Sequence, residues 1–256
     1  FSDGRLVLGV GGGNRNIKEV WQGEQQARVL TKMRENVEIL QKNASTRLGD
    51  TLDYQGRIHR MRWSPAIDPH PSTYPVYLAA VFPKMLRVAA QVADGIAGGA
   101  TLSPGYIKQI KHLAQNYASE GGRDFSTLKW NAVTVFAMDN NRDAARRAAR
   151  EAICHFYAPL PHPYYEFTMR EQGFGLEADK LLQLMPAGQL EESLEAISDE
   201  CLDTISICGT PQECREKIEH YRGLLDEMLL LNVMPSAGAD PVGSYTDLFL
   251  KLADIA

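Results

Sequence analysis

The chain has 256 residues, of which 44% are hydrophobic and 23% charged, and a formal net charge of −5. This balance is ordinary for a folded protein and argues against a polyanion such as nucleic acid as partner. The length suits one large α/β domain, and no apolar run approaches the ~18 residues that a membrane span needs.

In chain order, Arg5–Val10 (RLVLGV) reads as a buried strand that runs straight into Gly11-Gly12-Gly13-Asn14. Helical spacing follows as far as Leu40, with Val29, Met33, Val37 and Leu40 turned inward and Arg34, Glu35 and Glu38 on the opposite side. Residues 43–74 contain Gly49, Gly56, Pro65, Pro69 and Pro71 and little helical period. They predict an excursion outside the sheet, with a short hairpin at Thr51–Met61.

The segment Pro75–Gly99, PVYLAAVFPKMLRVAAQVADGIAGG, compresses a βαβ unit: a strand at Val76–Ala80, a helix opened by Pro83, and a second strand beginning at Ile96. Proline suits the first helical turn, where its missing N–H leaves no bond unmade, and Met85, Val88, Ala89, Val92 and Ala93 recur on one face. Ser103-Pro104 starts another helix, and Trp130–Met138 is apolar and β-rich, hence a further buried strand. Asn140–Ile153 follows as a charged helix, with Arg142, Arg146, Arg147 and Arg150 expected on its solvated side.

From His155 to Tyr165 prolines and aromatics dominate, and helical pattern resumes through Ala178–Leu184 and Leu190–Ala196. We expect a helical lid insertion around 154–205. Thr210-Pro211 with Glu213 spells a capping box, predicting a helix to Leu224; Met228–Leu231 is a last strand and Asp247–Ile255 a closing helix.

Titratable residues offer few sharp candidates. His155 and His162, with Tyr157, Tyr164 and Tyr165, crowd the lid, where an imidazole is suited to acid–base work near neutral pH. His59 and His70 lie in the irregular excursion, while His112 and His220 fall in helices. No histidine pair has metal-ligand spacing with a carboxylate, so no metal is expected. Cys154, Cys201, Cys208 and Cys214 form no CxxC pair and no secretory segment stands before them, which suggests reduced thiols and a cytoplasmic protein. GVGGGN is not the dinucleotide fingerprint, because no acidic residue ends a following strand ~20 residues on.

Four segments in order, SDGRLVLGVGGGN, DYQGRIHRM before PVYLAAVFPKMLRVAAQVADG, the pair Gly173-Phe174, and GTPQECREKIEHYRGLLDEMLLL, resemble the bacterial luciferase-like oxidoreductases. Within that group, GVGGG and AAxxPKMLRxA look most like the F420-dependent reductases related to methylenetetrahydromethanopterin reductase. The resemblance implies a (β/α)8 TIM barrel of α/β class. RLVLGVGGG corresponds there to the fourth barrel strand, so residues 1–256 are expected to form one barrel domain holding strands four to eight, about five parallel strands, with the first three βα units absent from this chain. The strand edges at Leu6–Val10 and Met228–Leu231 would then lack the neighbours that the family gives them.

The resemblance further implies an oxidoreductase that moves a hydride between coenzyme F420 and a small organic substrate, with an FMN-dependent monooxygenase or a non-catalytic barrel subunit as alternatives. It implies a homodimer or other homo-oligomer. The cofactor would lie at the C-terminal ends of the strands, held by Gly11, Gly12, Gly13 and Asn14 beside its ring and tail. Its phosphate would lie at Ala79, Ala80, Val81, Phe82, Lys84 and Met85. Phe82 stands where family members usually have glycine, and Asn14 where many F420 enzymes have an acid. No catalytic residue is assigned, because the residues facing the reactive ring come largely from the first three strands.

Overall fold

The computed structural model describes residues 4–67, 74–157 and 162–234. The predicted closing helix at Asp247–Ile255 and His70 lie outside them. The chain forms two compact units, residues 1–99 with 109–131 and residues 100–108 with 132–256.

In the first unit three short strands, β1 (Leu8–Val10), β4 (Val76–Ala79) and β5 (Gly95–Gly98), lie parallel in the order β1-β4-β5. Leu8 pairs with Val76 and Val10 with Leu78, and Tyr77 pairs with Gly95. Gly95 has no room for a side chain, since a Cβ there would lie 2.6 Å from the Tyr77 ring. The predicted βαβ unit is present, with α2 at Pro83–Val92. Leu86, Val88, Ala89 and Ala90 are its buried residues; Leu86 sits on the inward stripe, whereas Met85 and Val92 only border it. Asp94 ties the unit together by accepting the Val76 N–H at 2.8 Å.

The helix after β1 starts later than its spacing predicts. Ile17–Trp21 forms a π-helical turn, Gly23 takes a positive φ of 67°, and α1 (Val29–Ser45) begins only after Arg28, itself at φ 52°. Met33 and Val37 face inward as expected, but Glu35 is also buried, 4% exposed, instead of lying on the outer side.

The hairpin explains this departure. Its strands are β2 (Leu52–Gln55) and β3 (Arg60–Trp63), antiparallel and within two residues of the predicted Thr51–Met61. Between them the turn aims three consecutive amides, of Arg57, Ile58 and His59, at the Glu35 carboxylate, at 2.7–3.2 Å. A buried carboxylate with that many donors needs no counter-ion. Gly56 makes the approach possible, because a Cβ there would stand 2.5 Å from the Glu35 carboxyl. The Tyr54 hydroxyl donates to Glu38 at 2.5 Å and pins β2 to the same helix.

The helix α3 (Pro104–Glu120) and the strand β6 (Lys129–Met138) both run from one unit into the other. In the second unit β6 pairs in parallel with a strand that the sequence hid, β7 (Ser206–Gly209), and also pairs with β8 (Glu227–Asn232). β7 is only four residues long and follows a helix without a break, so no turn residue announces it.

Around this part of the sheet pack α4 (Arg142–His155), close to the helix expected at Asn140–Ile153, and α5 (Pro163–Glu171), α6 (Gly175–Leu184), α7 (Leu190–Ala196) and α8 (Asp199–Ile205), which make the stretch after it helical. Their shared core includes Ile153, Tyr157, Met169, Leu181, Leu202 and Ile205, with the buried thiols Cys154, Cys201 and Cys208. Burial pushes the Cys154 and Cys201 thiols up to about 12, which makes them packing groups and not nucleophiles.

The arginines of α4 are not a plain solvated face. Arg146 is 4% exposed and its guanidinium reaches Asp203 at 2.6 Å and Asp199 at 2.8 Å. Arg147 pairs with Glu151 and Glu191, Arg150 with Asp199, and Arg142 with Glu213. The row is therefore an ion-pair seam joining α4 to α7, α8 and α9 (Pro211–Glu219). The helix α9 ends at Glu219 and continues only as turns, five residues short of Leu224.

Candidate functional site

The glycine run and the start of α2 follow the carboxyl ends of neighbouring parallel strands, β1 and β4. Carrying the register of Leu8–Val76 and Val10–Leu78 one step further sets Gly11 beside Ala79, and a Cβ on Gly11 would lie 3.1 Å from that of Ala79. Two of the predicted site residues are thus brought together, and both are among the smallest that a strand end can carry. Ala79 is the exposed residue of an otherwise buried strand. A shallow, side-chain-poor wall results.

Beyond it the turn is held by side chains that sequence reading did not single out. Gln26 donates to the Gly12 carbonyl at 2.7 Å, and a Cβ on Gly12 would meet Val29 at 2.8 Å. Gly13 has φ +72°, a conformation that favours glycine, and the Lys18 stem lies beside it. The Asn14 side-chain oxygen accepts the Asn16 N–H at 2.8 Å, a local turn that leaves its NH2 as the group it can turn to a ligand.

At the second strand end the Ala80 N–H is taken by the Ala97 carbonyl at 3.1 Å, and Val81 is half-buried. Phe82 caps α2 with extended backbone, φ −70° and ψ 143°, and its ring is 40% exposed. Pro83 has no N–H, and the amides of Met85 and Leu86 both turn back to the Phe82 carbonyl at 2.9 Å. The first turn of α2 therefore offers an anion the Lys84 amide and ammonium, fewer donors than an open helix start would. Gly11 and Gly13 are exposed and Gly12 half-buried, but the space a Cβ would take at each is filled by Ala79, Val29 and the Lys18 stem, so the backbone of the turn and not an open cavity is what this end presents.

The histidines and tyrosines of the expected lid are placed as packing groups. The His155 Nδ1 lies 2.6 Å from the Glu151 carbonyl within α4, and His162 caps α5 through the Tyr164 N–H at 3.3 Å. Burial lowers the His162 pKa, favouring the neutral ring. Tyr157 bonds the Met169 sulfur, Tyr164 donates to the Ala100 carbonyl, and Tyr165 stacks on Phe156 at 4.0 Å. Among the described residues no cluster of His, Cys, Asp and Glu could hold a metal ion, and no helix is long and apolar enough to cross a membrane.

One residue after β5 had no signal in the sequence. Thr101 is β-branched, 1% exposed, and held at φ +75°, with its hydroxyl 3.1 Å from that of Thr168 and its carbonyl accepting from Gln172 at 2.8 Å. Strain of this kind persists only where the surroundings enforce it.

With this geometry in view, comparison with known proteins is informative. The model of the luciferase-like monooxygenases matches residues 1–228. The chain belongs to this family. It is 28% identical over 250 residues to a 5,10-methylenetetrahydromethanopterin reductase of Archaeoglobus fulgidus, an alignment covering 95% of this chain and 70% of that one. Among solved structures, the coenzyme F420-dependent tetrahydromethanopterin reductase of Methanopyrus kandleri superposes with a TM-score of 0.69 at 17% identity, over 100% of this chain and 76% of that one. The oxygenating constituent of 3,6-diketocamphane monooxygenase of Pseudomonas putida, solved with FMN, gives 0.59 at 16%, over 98% and 70%. These likenesses establish the α/β fold of luciferase-like barrels. Within the family, this chain resembles proteins of both cofactor types.

Proposed function

We propose that this chain is an F420-dependent oxidoreductase acting on a small organic molecule. The observation that carries the reading is the meeting of Gly11 and Ala79 at the ends of β1 and β4, a side-chain-poor wall beside a glycine turn, in a chain similar to a methylenetetrahydromethanopterin reductase. Coenzyme F420, when bound, supplies or accepts the hydride.

The chain's own part is to bind and orient. Gly11, Gly12 and Gly13 allow the planar ring to approach the backbone, and the Asn14 NH2 donates to its polar edge. Ala79, Ala80 and Val81 form the strand-end floor, with the Phe82 ring and the Met85 side chain at its rim. The Lys84 ammonium and amide meet the phosphate. Lys84 is the one titratable side chain among these residues and is assigned to the phosphate, so none of them is given a part in proton transfer.

Titrating the protein with F420 and, separately, with FMN while following cofactor fluorescence tests the reading. Uptake of F420 that is lost in Gly11→Val, with FMN left unbound, is the expected result. Uptake of FMN alone would assign the wall to a flavin monooxygenase, and uptake of neither would remove the enzyme reading.

A further inference from the structure

In the β2–β3 hairpin the outer edge of β3 pairs with no strand among the described residues, and an apolar strip lies open on the same strand. Gly56 donates to the His59 carbonyl at 2.8 Å across the turn, and in an antiparallel pair the bonded partners alternate. Tyr54 and Met61 therefore exchange ladder bonds, as do Leu52 and Trp63, and the main-chain groups of Arg60 and Arg62 point to the outer edge of β3. Among the described residues no other strand pairs there.

The side chains alternate in the same way. Met61 and Trp63 share a face with Tyr54 and Leu52, yet Tyr54 and Leu52 are buried while Met61 and Trp63 stay 37% and 42% exposed. Arg60 and Arg62 occupy the other face, opposite Gln55 and Asp53, and form no ion pair among the described residues. Asp53 is engaged by Gln55 at 2.7 Å. The Glu35 carboxylate anchors the turn, so the edge is presented in a fixed geometry and a ligand need not order it.

We propose that β3 is a docking edge for an extended segment of a partner protein in which acidic and apolar residues alternate. The segment adds a third strand by pairing with the main chain of Arg60 and Arg62. Its carboxylates fall opposite the two guanidiniums, and its intervening apolar residues cover Met61 and Trp63. A second copy of this chain is a poorer occupant. Symmetric antiparallel pairing about Met61 would set Arg60 opposite the second copy's Arg62, and like charges in that position repel.

Fluorescence anisotropy with a labelled, end-capped peptide of alternating glutamate and valine tests this, against the lysine–valine counterpart. The glutamate peptide is expected to bind about tenfold or more tightly than the lysine one, Arg60→Glu with Arg62→Glu to reverse that preference, and Met61→Ser with Trp63→Ser to weaken both. The substituted positions are exposed, and an unchanged melting curve verifies that each variant is folded. In the complex the amides of Arg60 and Arg62 should gain exchange protection. The proposal is overturned if the glutamate peptide does not bind, or binds no better than its counterpart, or keeps its affinity in the charge-reversed variant. Dimerisation of the chain that Met61→Ser abolishes would also overturn it, in favour of self-association.

Discussion

Phe82 is the residue on which the cofactor reading turns. It caps α2 with an exposed ring, at the position where the resemblance to the luciferase-like family leads one to expect glycine. A bulky side chain there restricts approach to the helix start, where Pro83 and the Phe82–Met85 bond already reduce the available donors. Phe82→Gly removes the ring while keeping the extended cap conformation, which glycine adopts readily. We expect F420 to bind several-fold more tightly to Phe82→Gly. Unchanged affinity would mean that the phosphate does not sit at this helix start. Glu35 poses a different question at the same scale. Burial alone would raise its pKa, but the amides of His59, Ile58 and Arg57 outweigh that and hold the carboxyl below its ordinary 4.5. A folded-state pKa below the unfolded one stabilises the protein fully above about pH 4.5, and the contribution is lost as pH falls through the folded value. Glu35→Gln, which keeps the shape and loses the charge, should melt at lower temperature at neutral pH, and its deficit should shrink on acidification. A deficit that does not change with pH would show that the charge is not what holds the turn.

At the scale of elements, α9 shows local sequence and structure in agreement. Thr210 caps the helix, Pro211 opens it, and Glu213 reaches back to the Thr210 amide at 2.8 Å, as the capping-box spacing predicts. Thr210→Ala should lower stability by about 1 kcal/mol in chemical denaturation, and a loss below ~0.3 kcal/mol would mean that the Arg142–Glu213 pair alone secures this end. That pair, first among the causes, and the Thr210 amide hold Glu213 down at about 2, so its contribution too is present above pH 4.5 and is lost toward pH 2. The parallel strands other than β7, the α2 unit, the hairpin and this cap were legible because each is written in a short window. What was illegible depends on partners distant in sequence. Glu35 reads as a surface residue until a turn 22 to 24 positions later brings amides to it, and Arg146 until Asp199 and Asp203 arrive from another helix. The late start of α1 follows from an irregular turn whose bonds, such as Gln26 to Gly12, join positions 14 apart. Of the proposed site, the adjacency of Gly11 and Ala79 follows once the strand register is known, whereas the loss of helix-start amides to the Phe82 carbonyl has no signal in the sequence.

For the molecule as a whole, the proposed cofactor residues all belong to one compact unit, whereas the large aromatic and cysteine-containing core belongs to the other. A ligand that binds only the native state stabilises by mass action, about 2.7 kcal/mol at a free concentration one hundred times its Kd. F420 at that excess should therefore raise the melting temperature, and FMN should not. Location separates a specific effect from a general one. Native-state hydrogen exchange with F420 should slow the amides from Gly11 to Asn14 and from Ala79 to Met85. The interior amides of α6 and α8, packed in the second unit's core, should exchange at unchanged rates unless the whole chain unfolds cooperatively. Protection confined to α5–α8 would move the cofactor away from the glycine wall. Protection at Gly11–Asn14 without protection at Lys84 and Met85 would place the ring as proposed and the phosphate elsewhere.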